Sequence, residues 1–246
     1  NTRSTAELAL ALIFSIARKI PQAHYSSKND WWEKKKFEGI ELYGKTLGII
    51  GCGRIGKKLA ELASAIGMHV IGHDLHEDPN TRITYLPHDR VVREADFISI
   101  HVAGTDLVLR DSDFSIMKPS AYVINAARAE NIDNDALYAA LKAGKIAGAA
   151  LDVHRGEPDS DGTFFRNRFR DFENVILTQH MGVTKEAKVI TSTEIAQFLV
   201  DFLLYRSFAN AVNIAAGPNV MSGRRETHHP LFICHDNLPG TFSPIE

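Results

Sequence analysis

Three residues that follow predicted strands have the side-chain types needed to hold a carboxylate and to move a proton. Arg128 ends the strand YVINAAR, Glu157 follows the strand AALDV, and His180 ends the strand VILTQH. An arginine grips a carboxylate with two hydrogen bonds and keeps its charge. A histidine titrates near neutral pH, and a carboxylate on its second ring nitrogen fixes its tautomer. Such a set suits the oxidation of an alcohol by hydride transfer, which also needs a bound cofactor.

Position, and not composition, selects these three residues. The chain has 11 histidines, so residue type alone does not distinguish His180. Each residue also has an ordinary alternative, namely a surface arginine, a glutamate in a loop, and a histidine of the surface or core. In doubly wound sheets, however, ligands bind beyond the carboxyl ends of the strands. We therefore expect the three side chains to belong to one site.

A glycine-rich stretch, IIGCGRIGKKLA at residues 49–60, predicts a phosphate-binding loop. It follows a predicted strand and opens a predicted helix, and Asp74 ends the next strand 18 residues after Gly56, close to the typical spacing of about 20. In this motif Gly51 allows the tight turn, Gly53 lets the backbone approach a pyrophosphate, and Gly56 lets the helix pack on the strand. A glycine-rich turn without a nucleotide is the alternative interpretation.

The loop and its acidic residue favour NAD over NADP. The helix N-terminus offers free N–H groups and partial positive charge to the phosphates, and Arg54 adds a cation. Asp74 would accept hydrogen bonds from the ribose hydroxyls and repel a 2′-phosphate, and no arginine or lysine follows it in DLHEDPN. Cys52, inside the loop, is expected to be a small buried residue and not a nucleophile, because no histidine neighbours it in sequence.

Charge and cysteine content exclude several classes of protein. The net charge of −2 and the pI of about 6.6 predict neither nucleic-acid binding nor association with a membrane surface. Two cysteines make no disulfide framework and no metal site, which fits a reducing, cytoplasmic compartment. The apolar run LALALIFSIA is too short to span a bilayer and predicts a helix buried on several sides. Ser4 could cap this helix, with Glu7 completing a capping box.

Alternating strands and helices from about residue 44 predict an α/β fold with a doubly wound parallel sheet of the Rossmann-like, NAD-binding type. The expected strands are 45–51, 68–74, 96–102, AYVINAA, IAGAALDV and 174–180, and the clearest helices are 54–67 and 184–206. Residues 155–171 show no period and are expected to form a surface loop.

We expect the chain to have four parts, and the assignments to a substrate domain and to a further truncated domain are what the family resemblance described below implies. Residues 1–43 would form an interdomain helix and linker, part of a substrate domain or hinge. Residues 44–180 would form the NAD-binding domain, and 181–213 a helix that returns to the substrate domain. Residues 214–246, rich in glycine, proline and charge, would be a linker with the start of a further, truncated domain. The second domain would thus be present only as remnants.

Several segments together resemble the D-isomer-specific 2-hydroxyacid dehydrogenases, from residue 1 to about residue 213. They are NTRSTAELALALIFSIAR, GKTLGIIGCGRIGKKLAELASAIGMHVIGHD, FSIMKPSAYVINAAR, DNDALYAALKAGKIAGAALDV, GEP and TQHMGVTKEA. The resemblance implies NAD-linked interconversion of a D-2-hydroxy acid and a 2-oxo acid. It also implies a homodimer that pairs through the first helix, or a higher homo-oligomer. It also implies that about a hundred residues of the substrate domain come before the position of Asn1, so that this chain alone would turn over poorly.

The resemblance also implies roles for particular residues. By motif match, Arg128 would bind the substrate carboxylate, His180 would be the acid/base, and Glu157 would tune it. Asp152 in LDV would contact the nicotinamide amide, with a strand-end acid satisfied by the backbone as the alternative. The remaining positions expected at the cofactor are Ile55, Val102 and Ala103, together with His180 itself.

The sequence departs from the family pattern beside these residues. Ala129 stands where the family usually has glycine, Gln179 where it has proline, and HVAGTD lacks a proline-containing turn.

The tail RRETHHPLFICHDNLPGTF resembles the opening of the small regulatory ACT domain of some phosphoglycerate dehydrogenases, with His235 and Asn237 matching effector-sensing residues. This favours 3-phosphoglycerate as substrate. A lactate, glyoxylate or formate type of enzyme, and a non-catalytic NAD(H)-sensing or corepressor module, remain alternatives.

Overall fold

The computed structural model describes residues 1–205. The chain divides into two compact units, residues 1–189 and 190–246, and the described part of the second is the end of one long helix. The predicted linker and the start of the ACT-like domain, with His235 and Asn237, lie outside the described residues.

The first unit is built on a seven-stranded sheet in which every pairing is parallel. The strand order is β3-β2-β1-β4-β5-β6-β7. Strands β2 and β3 lie on one side of β1 and strands β4 to β7 on the other, so the strand order reverses between β1 and β4. This topology confirms the predicted doubly wound α/β fold. The strands are β1 (Thr46–Ile50), β2 (His69–His73), β3 (Thr84–Tyr85), β4 (Phe97–Ile100), β5 (Tyr122–Asn125), β6 (Gly148–Leu151) and β7 (Val175–Leu177).

The sheet is buried on both faces because helices cover each side. The helices are α1 (Thr2–Ala17), α2 (Ile20–Lys28), α3 (Arg54–Ala65), α4 (His88–Glu94), α5 (Asp111–Phe114), α6 (Asn134–Lys142) and α7 (Lys185–Tyr205). One apolar cluster joins the sheet to α4, α5 and α6, and the other joins it to α1 and α3. Neighbouring strand residues alternate between them, as Ile49 packs towards α1 and α3 and Ile50 towards the opposite face.

Most predicted elements are confirmed to within a few residues. Strand β3 was not predicted, because two residues show no periodicity, and α2 was not predicted either. The apolar first helix is buried along one face, with Ala6, Ala9 and Ile13 fully covered, but not on several sides as expected, since Phe14 is 38% exposed. No helix among residues 1–205 combines the length and apolar character that a membrane span requires.

The predicted capping box at the start of α1 is wrong. The helix begins at Thr2, so Ser4 lies inside its first turn and not at its N-cap. The Ser4 hydroxyl bonds instead to the carbonyl of Asn1 at 2.9 Å and to that of Gly182 at 2.8 Å. Because Gly182 lies 178 residues away, no local pattern could show this second partner. The contact ties the start of α1 to the chain segment that follows β7.

Candidate active site

A cleft of about 980 Å³ opens at the carboxyl ends of the strands, where the sheet order reverses between β1 and β4. Its size is that of a cofactor site. Apart from Gly56 and Glu157, all residues predicted for the site line it, namely Gly51, Gly53, Arg54, Ile55, Asp74, Val102, Ala103, Arg128, Asp152 and His180. Gly56 lies beneath the loop, and Glu157 stands behind His180.

The three glycines of the loop differ in what surrounds them. Gly51 has a φ of +92°, and a Cβ there would lie 2.6 Å from the backbone of His101 and Val102. A Cβ on Gly56 would lie 2.3 Å from the carbonyl oxygen of Gly51. A Cβ on Gly53 would meet nothing within 4 Å, so its backbone faces open space. This is the arrangement that lets a pyrophosphate approach the helix N-terminus.

Asp74 is hydrogen-bonded to the backbone of the glycine loop and of the segment that follows β2. Its Oδ2 accepts a hydrogen bond from the N–H of Cys52 at 2.6 Å, and its Oδ1 accepts one from the N–H of His76 at 2.9 Å. The thiol of Cys52 is buried, and burial, together with the charge of Asp74, raises its pKa to about 12. Cys52 therefore stays a protonated thiol that packs under the loop.

Asp152 is 1% exposed, and its two carboxylate oxygens differ in their hydrogen bonds. Oδ1 accepts hydrogen bonds from the Thr178 hydroxyl at 2.6 Å and from the N–H of Met181 at 3.0 Å. Oδ2 is buried and has no partner among residues 1–205. A buried acceptor without a donor is costly, so this oxygen fits an incoming N–H such as the carboxamide of a nicotinamide. The open space at Gly53 and this oxygen together match a dinucleotide.

His180 and Glu157 form a hydrogen-bonded pair. The Nδ1 of His180 lies 2.5 Å from Oε1 of Glu157, and the second oxygen of Glu157 accepts from the N–H of His154 at 3.1 Å. Partial burial by itself would raise the pKa of Glu157, but the hydrogen bonds from His180 and His154 outweigh it and hold this pKa below its ordinary value. Because Nδ1 faces Glu157, Nε2 is the ring nitrogen left for the cleft.

The backbone of His180 has an unusual conformation. Its φ is +52°, in the left-handed region that few residues other than glycine adopt. Its N–H donates to the carbonyl of Asp152 at 2.7 Å. Since such conformations persist only where the surroundings enforce them, the observation points to a site under constraint.

Arg128 follows β5 and is exposed in the same cleft. Its guanidinium donates to the carbonyl of Ala127 at 2.7 Å, and its N–H donates to Asn131 Oδ1 at 2.9 Å. Within residues 1–205 no carboxylate pairs with it, so its charge is available to an anionic ligand.

His101 lines the cleft but was not predicted from the sequence. It follows β4 directly, so the strand-end rule that selected His180 would also have selected it. Its Nε2 lies 2.8 Å from the Ser99 hydroxyl, and its Nδ1 has no partner within the part of the chain described. Burial lowers its pKa to about 4, so the ring is neutral at physiological pH.

A doubly wound sheet with a glycine loop, an aspartate after the next strand and a hydrogen-bonded glutamate–histidine pair beside the strand ends is the arrangement expected of a dinucleotide-dependent dehydrogenase domain. Residues 10–182 match the family described as D-isomer specific 2-hydroxyacid dehydrogenase, NAD binding domain. The chain belongs to this family, which confirms the resemblance and the prediction of NAD as the cofactor of the fold.

Curated relatives agree with this assignment. The chain is 39% identical over 234 residues to the D-3-phosphoglycerate dehydrogenase of Synechocystis sp., covering 92% of this chain and 41% of that protein. It is 41% identical to the human D-3-phosphoglycerate dehydrogenase, covering 88% and 41% respectively. The NAD-complexed D-isomer specific 2-hydroxyacid dehydrogenase of Lactobacillus delbrueckii ssp. bulgaricus superposes with a TM-score of 0.73 at 31% identity, covering 82% and 66%. The chain thus spans about two fifths of the length of these curated relatives.

Proposed function

We propose that this chain is the NAD-binding domain of a dehydrogenase that interconverts a D-2-hydroxy acid and a 2-oxo acid. The observation that carries the proposal is the 2.5 Å Glu157–His180 pair, whose histidine lines the same cleft as Arg128, a cation that no carboxylate of residues 1–205 pairs with. The cofactor-side roles of Gly51, Gly53, Arg54, Ile55, Gly56, Asp74, Val102, Ala103 and Asp152 remain part of this proposal.

Each residue of the proposed site has a distinct task. A bound nicotinamide supplies the acceptor, or in the reverse direction the donor, of the hydride. Arg128 would hold the substrate carboxylate through paired hydrogen bonds. His180 would take the hydroxyl proton on Nε2 as the carbonyl forms, and would return it in the reduction. The carboxylate of Glu157 would keep Nδ1 protonated and stabilise the charged ring.

For the substrate we propose 3-phosphoglycerate and 3-phosphohydroxypyruvate. Support comes from the curated relatives named D-3-phosphoglycerate dehydrogenase and from the ACT-like tail of the sequence. A lactate type remains the rival, because a D-lactate dehydrogenase of Sporolactobacillus sp. superposes with a TM-score of 0.76 at 31% identity.

We further propose a homodimer in a reducing, cytoplasmic compartment. Large apolar side chains are exposed on α1, on α2 and just after it, namely Phe14, Tyr25, Trp31 and Trp32, which is typical of an interface. A second cleft adjoins part of this surface. The free, buried thiol of Cys52 is consistent with a reducing environment.

Two measurements on the whole protein that contains this chain test the enzymatic proposal. NADH consumption is followed with 3-phosphohydroxypyruvate, pyruvate and glyoxylate, and NADH affinity is measured separately. We expect His180→Ala to lower turnover by about 10²- to 10⁴-fold with little change in NADH affinity. His69→Ala, an exposed histidine at the opposite end of β2, is the matched control and should behave like the unmodified protein. Tight NADH binding without turnover on any 2-oxo acid would instead favour a sensing module.

A further inference from the structure

The ring of His154 is hydrogen-bonded on both nitrogens. Its Nε2 lies 2.6 Å from the carbonyl oxygen of Thr178, and its Nδ1 lies 2.8 Å from the amide nitrogen of Asn167. A carbonyl only accepts, so Nε2 carries the proton and Nδ1 accepts from the Asn167 amide. The amide oxygen of Asn167 accepts from the N–H of Phe169 at 2.9 Å, which fixes the direction of the amide. The ring is therefore held as one neutral tautomer.

The backbone of His154 binds the carboxylate that orients His180. Its N–H donates to Oε2 of Glu157 at 3.1 Å, and its carbonyl accepts from the N–H of Glu157 at 3.3 Å. These reciprocal bonds close a turn over residues 154–157 in which Gly156 has a φ of +69°. The turn leaves the other carboxylate oxygen, Oε1, facing Nδ1 of His180.

The ring of His154 binds the segment that carries His180. Thr178 lies two residues before His180, and its hydroxyl donates to the buried Asp152 at 2.6 Å. The backbone of His154 thus contacts Glu157, and its ring contacts the segment that carries His180. Glu157 belongs to the segment after β6 and His180 to the segment after β7, and 23 residues separate them. His154 is therefore a hydrogen-bonded connection between the two segments that carry the pair.

We propose that His154 is a positioning residue for the Glu157–His180 pair, with Asn167 setting its tautomer. The inference rests on the proposed function in one respect only, that His180 is the acid/base. Without the ring, Thr178 loses its donor and the two segments lose a direct link. Small displacements of a catalytic group lower the rate strongly, so the effect should appear in kcat more than in binding.

The test compares His154→Phe with His154→Gln in the whole protein. Phenylalanine keeps a ring of similar size and removes both nitrogens, whereas the glutamine amide can donate to the Thr178 carbonyl. We expect the phenylalanine variant to lower kcat by on the order of ten- to a hundredfold, with the KM for NADH within about twofold. The glutamine variant should recover most of this loss.

A second readout does not depend on turnover. The ¹⁵N chemical shifts of the His180 ring report which nitrogen carries the proton. The unmodified protein at alkaline pH should show the proton on Nδ1, facing Glu157, and the phenylalanine variant should show a mixture of tautomers. If that variant does not fold, Asn167→Ala replaces it and should produce the same changes in weaker form.

The possible outcomes separate the two proposals. Unchanged His180 shifts in the variant overturn the positioning role, whether or not kcat falls, because His154 would then act by another route or not at all. If no 2-oxo acid is turned over by the unmodified protein, the proposed function fails, while altered shifts still establish the positioning of His180 by His154. If the variant lost thermal stability but kept the same His180 chemical shifts and the same kcat, His154 would only stabilise the loop. This outcome would also overturn the proposal.

Discussion

At the scale of single residues, the two aspartates of the cleft differ in how much hydrogen-bonding capacity they leave for a ligand. Both oxygens of Asp74 accept hydrogen bonds from backbone N–H groups, so this carboxylate shapes the loop in addition to its proposed contact with the ribose. Asp152 uses one oxygen for Thr178 and Met181 and leaves the other unpartnered within the described chain. Binding at Asp152 would therefore satisfy a buried acceptor, whereas binding at Asp74 would add to bonds already made.

Replacing Asp74 with alanine should weaken NADH binding by about 1–3 kcal/mol, because ribose hydrogen bonds to a charged acceptor would be lost. Fluorescence titration with NADH measures the change. Asp89→Ala removes the same charge from an exposed position in α4 and should leave the affinity unaltered. Equal affinities for the two variants would remove Asp74 from the cofactor site.

His101 should make the protein less stable as the pH falls below neutrality. A histidine in the unfolded chain takes up its proton near pH 6.5, but native His101 does so only near pH 4. Between these values the unfolded state binds more protons, so the free energy of unfolding decreases as the pH is lowered. From pH 7 to pH 5 this group should contribute a loss on the order of 2 kcal/mol.

Urea denaturation of the unmodified protein and of His101→Gln at both pH values measures that contribution. The variant should lose less stability over the same interval, because glutamine does not titrate. Its stability at pH 7 can differ for other reasons, so the comparison uses only the change with pH. Identical changes in both proteins would contradict a buried, neutral His101.

At the scale of elements, the junction of β1, the glycine loop and α3 combines close packing with open space. The carbonyl of Gly51 lies against Gly56 in the first turn of α3, and the backbone of Gly53 faces the cleft. Helix α3 also packs beside α1, whose first turn binds Gly182 through Ser4. The N-termini of α1 and α3 are therefore both fixed relative to the carboxyl edge of the sheet.

Alanine substitutions at Gly56 and Gly53 should separate packing from cofactor binding. Gly56→Ala places a methyl group 2.3 Å from the Gly51 carbonyl, so it should destabilise the fold by about 1–3 kcal/mol or more. Gly53→Ala adds its methyl to open space and should change stability by less than about 1 kcal/mol while weakening NADH binding. Thermal unfolding and NADH titration of both variants test this. A stable Gly56→Ala protein would show that α3 can shift freely.

At the scale of the whole molecule, the parallel order of the sheet brings distant segments to one edge. Asp74, His101, Arg128, Asp152 and His180 follow five different strands, yet all line the same cleft. Helices cover both faces, so this edge is where a ligand can reach the strand ends. Large apolar side chains are also exposed on the first unit, among them side chains of α1 and α2.

The proposed homodimer through the first helix predicts that Phe14→Asp yields a monomer in sedimentation velocity, because a buried charge at an interface is costly. Phe14 is 38% exposed on α1. Phe164→Asp introduces the same change in the loop after β6, where the side chain is 88% exposed, and should leave the dimer intact. A protein that sediments as a monomer without any substitution would rule the dimer out.

Local patterns in the sequence were sufficient for the architecture and for the positions of most proposed site residues. Buried strands, glycine spacing and an acid at the end of β2 are properties of short segments, and they predicted the doubly wound sheet, the loop and Asp74. The family resemblance then added roles for Arg128, Glu157, Asp152 and His180. The tertiary structure corrected the cap at Ser4 and revealed β3 and α2, where local signals are weak or absent.

Only the tertiary structure decided how the side chains meet. The 2.5 Å approach of Glu157 to His180, the hydrogen bond from Thr178 to Asp152 and the two bonds of the His154 ring join residues on separate segments. These contacts depend on the register of β6 with β7, on the turn at Gly156 and on the left-handed backbone of His180. A sequence determines local conformation through nearby residues, but distances between segments arise only when the whole sheet and its loops have packed.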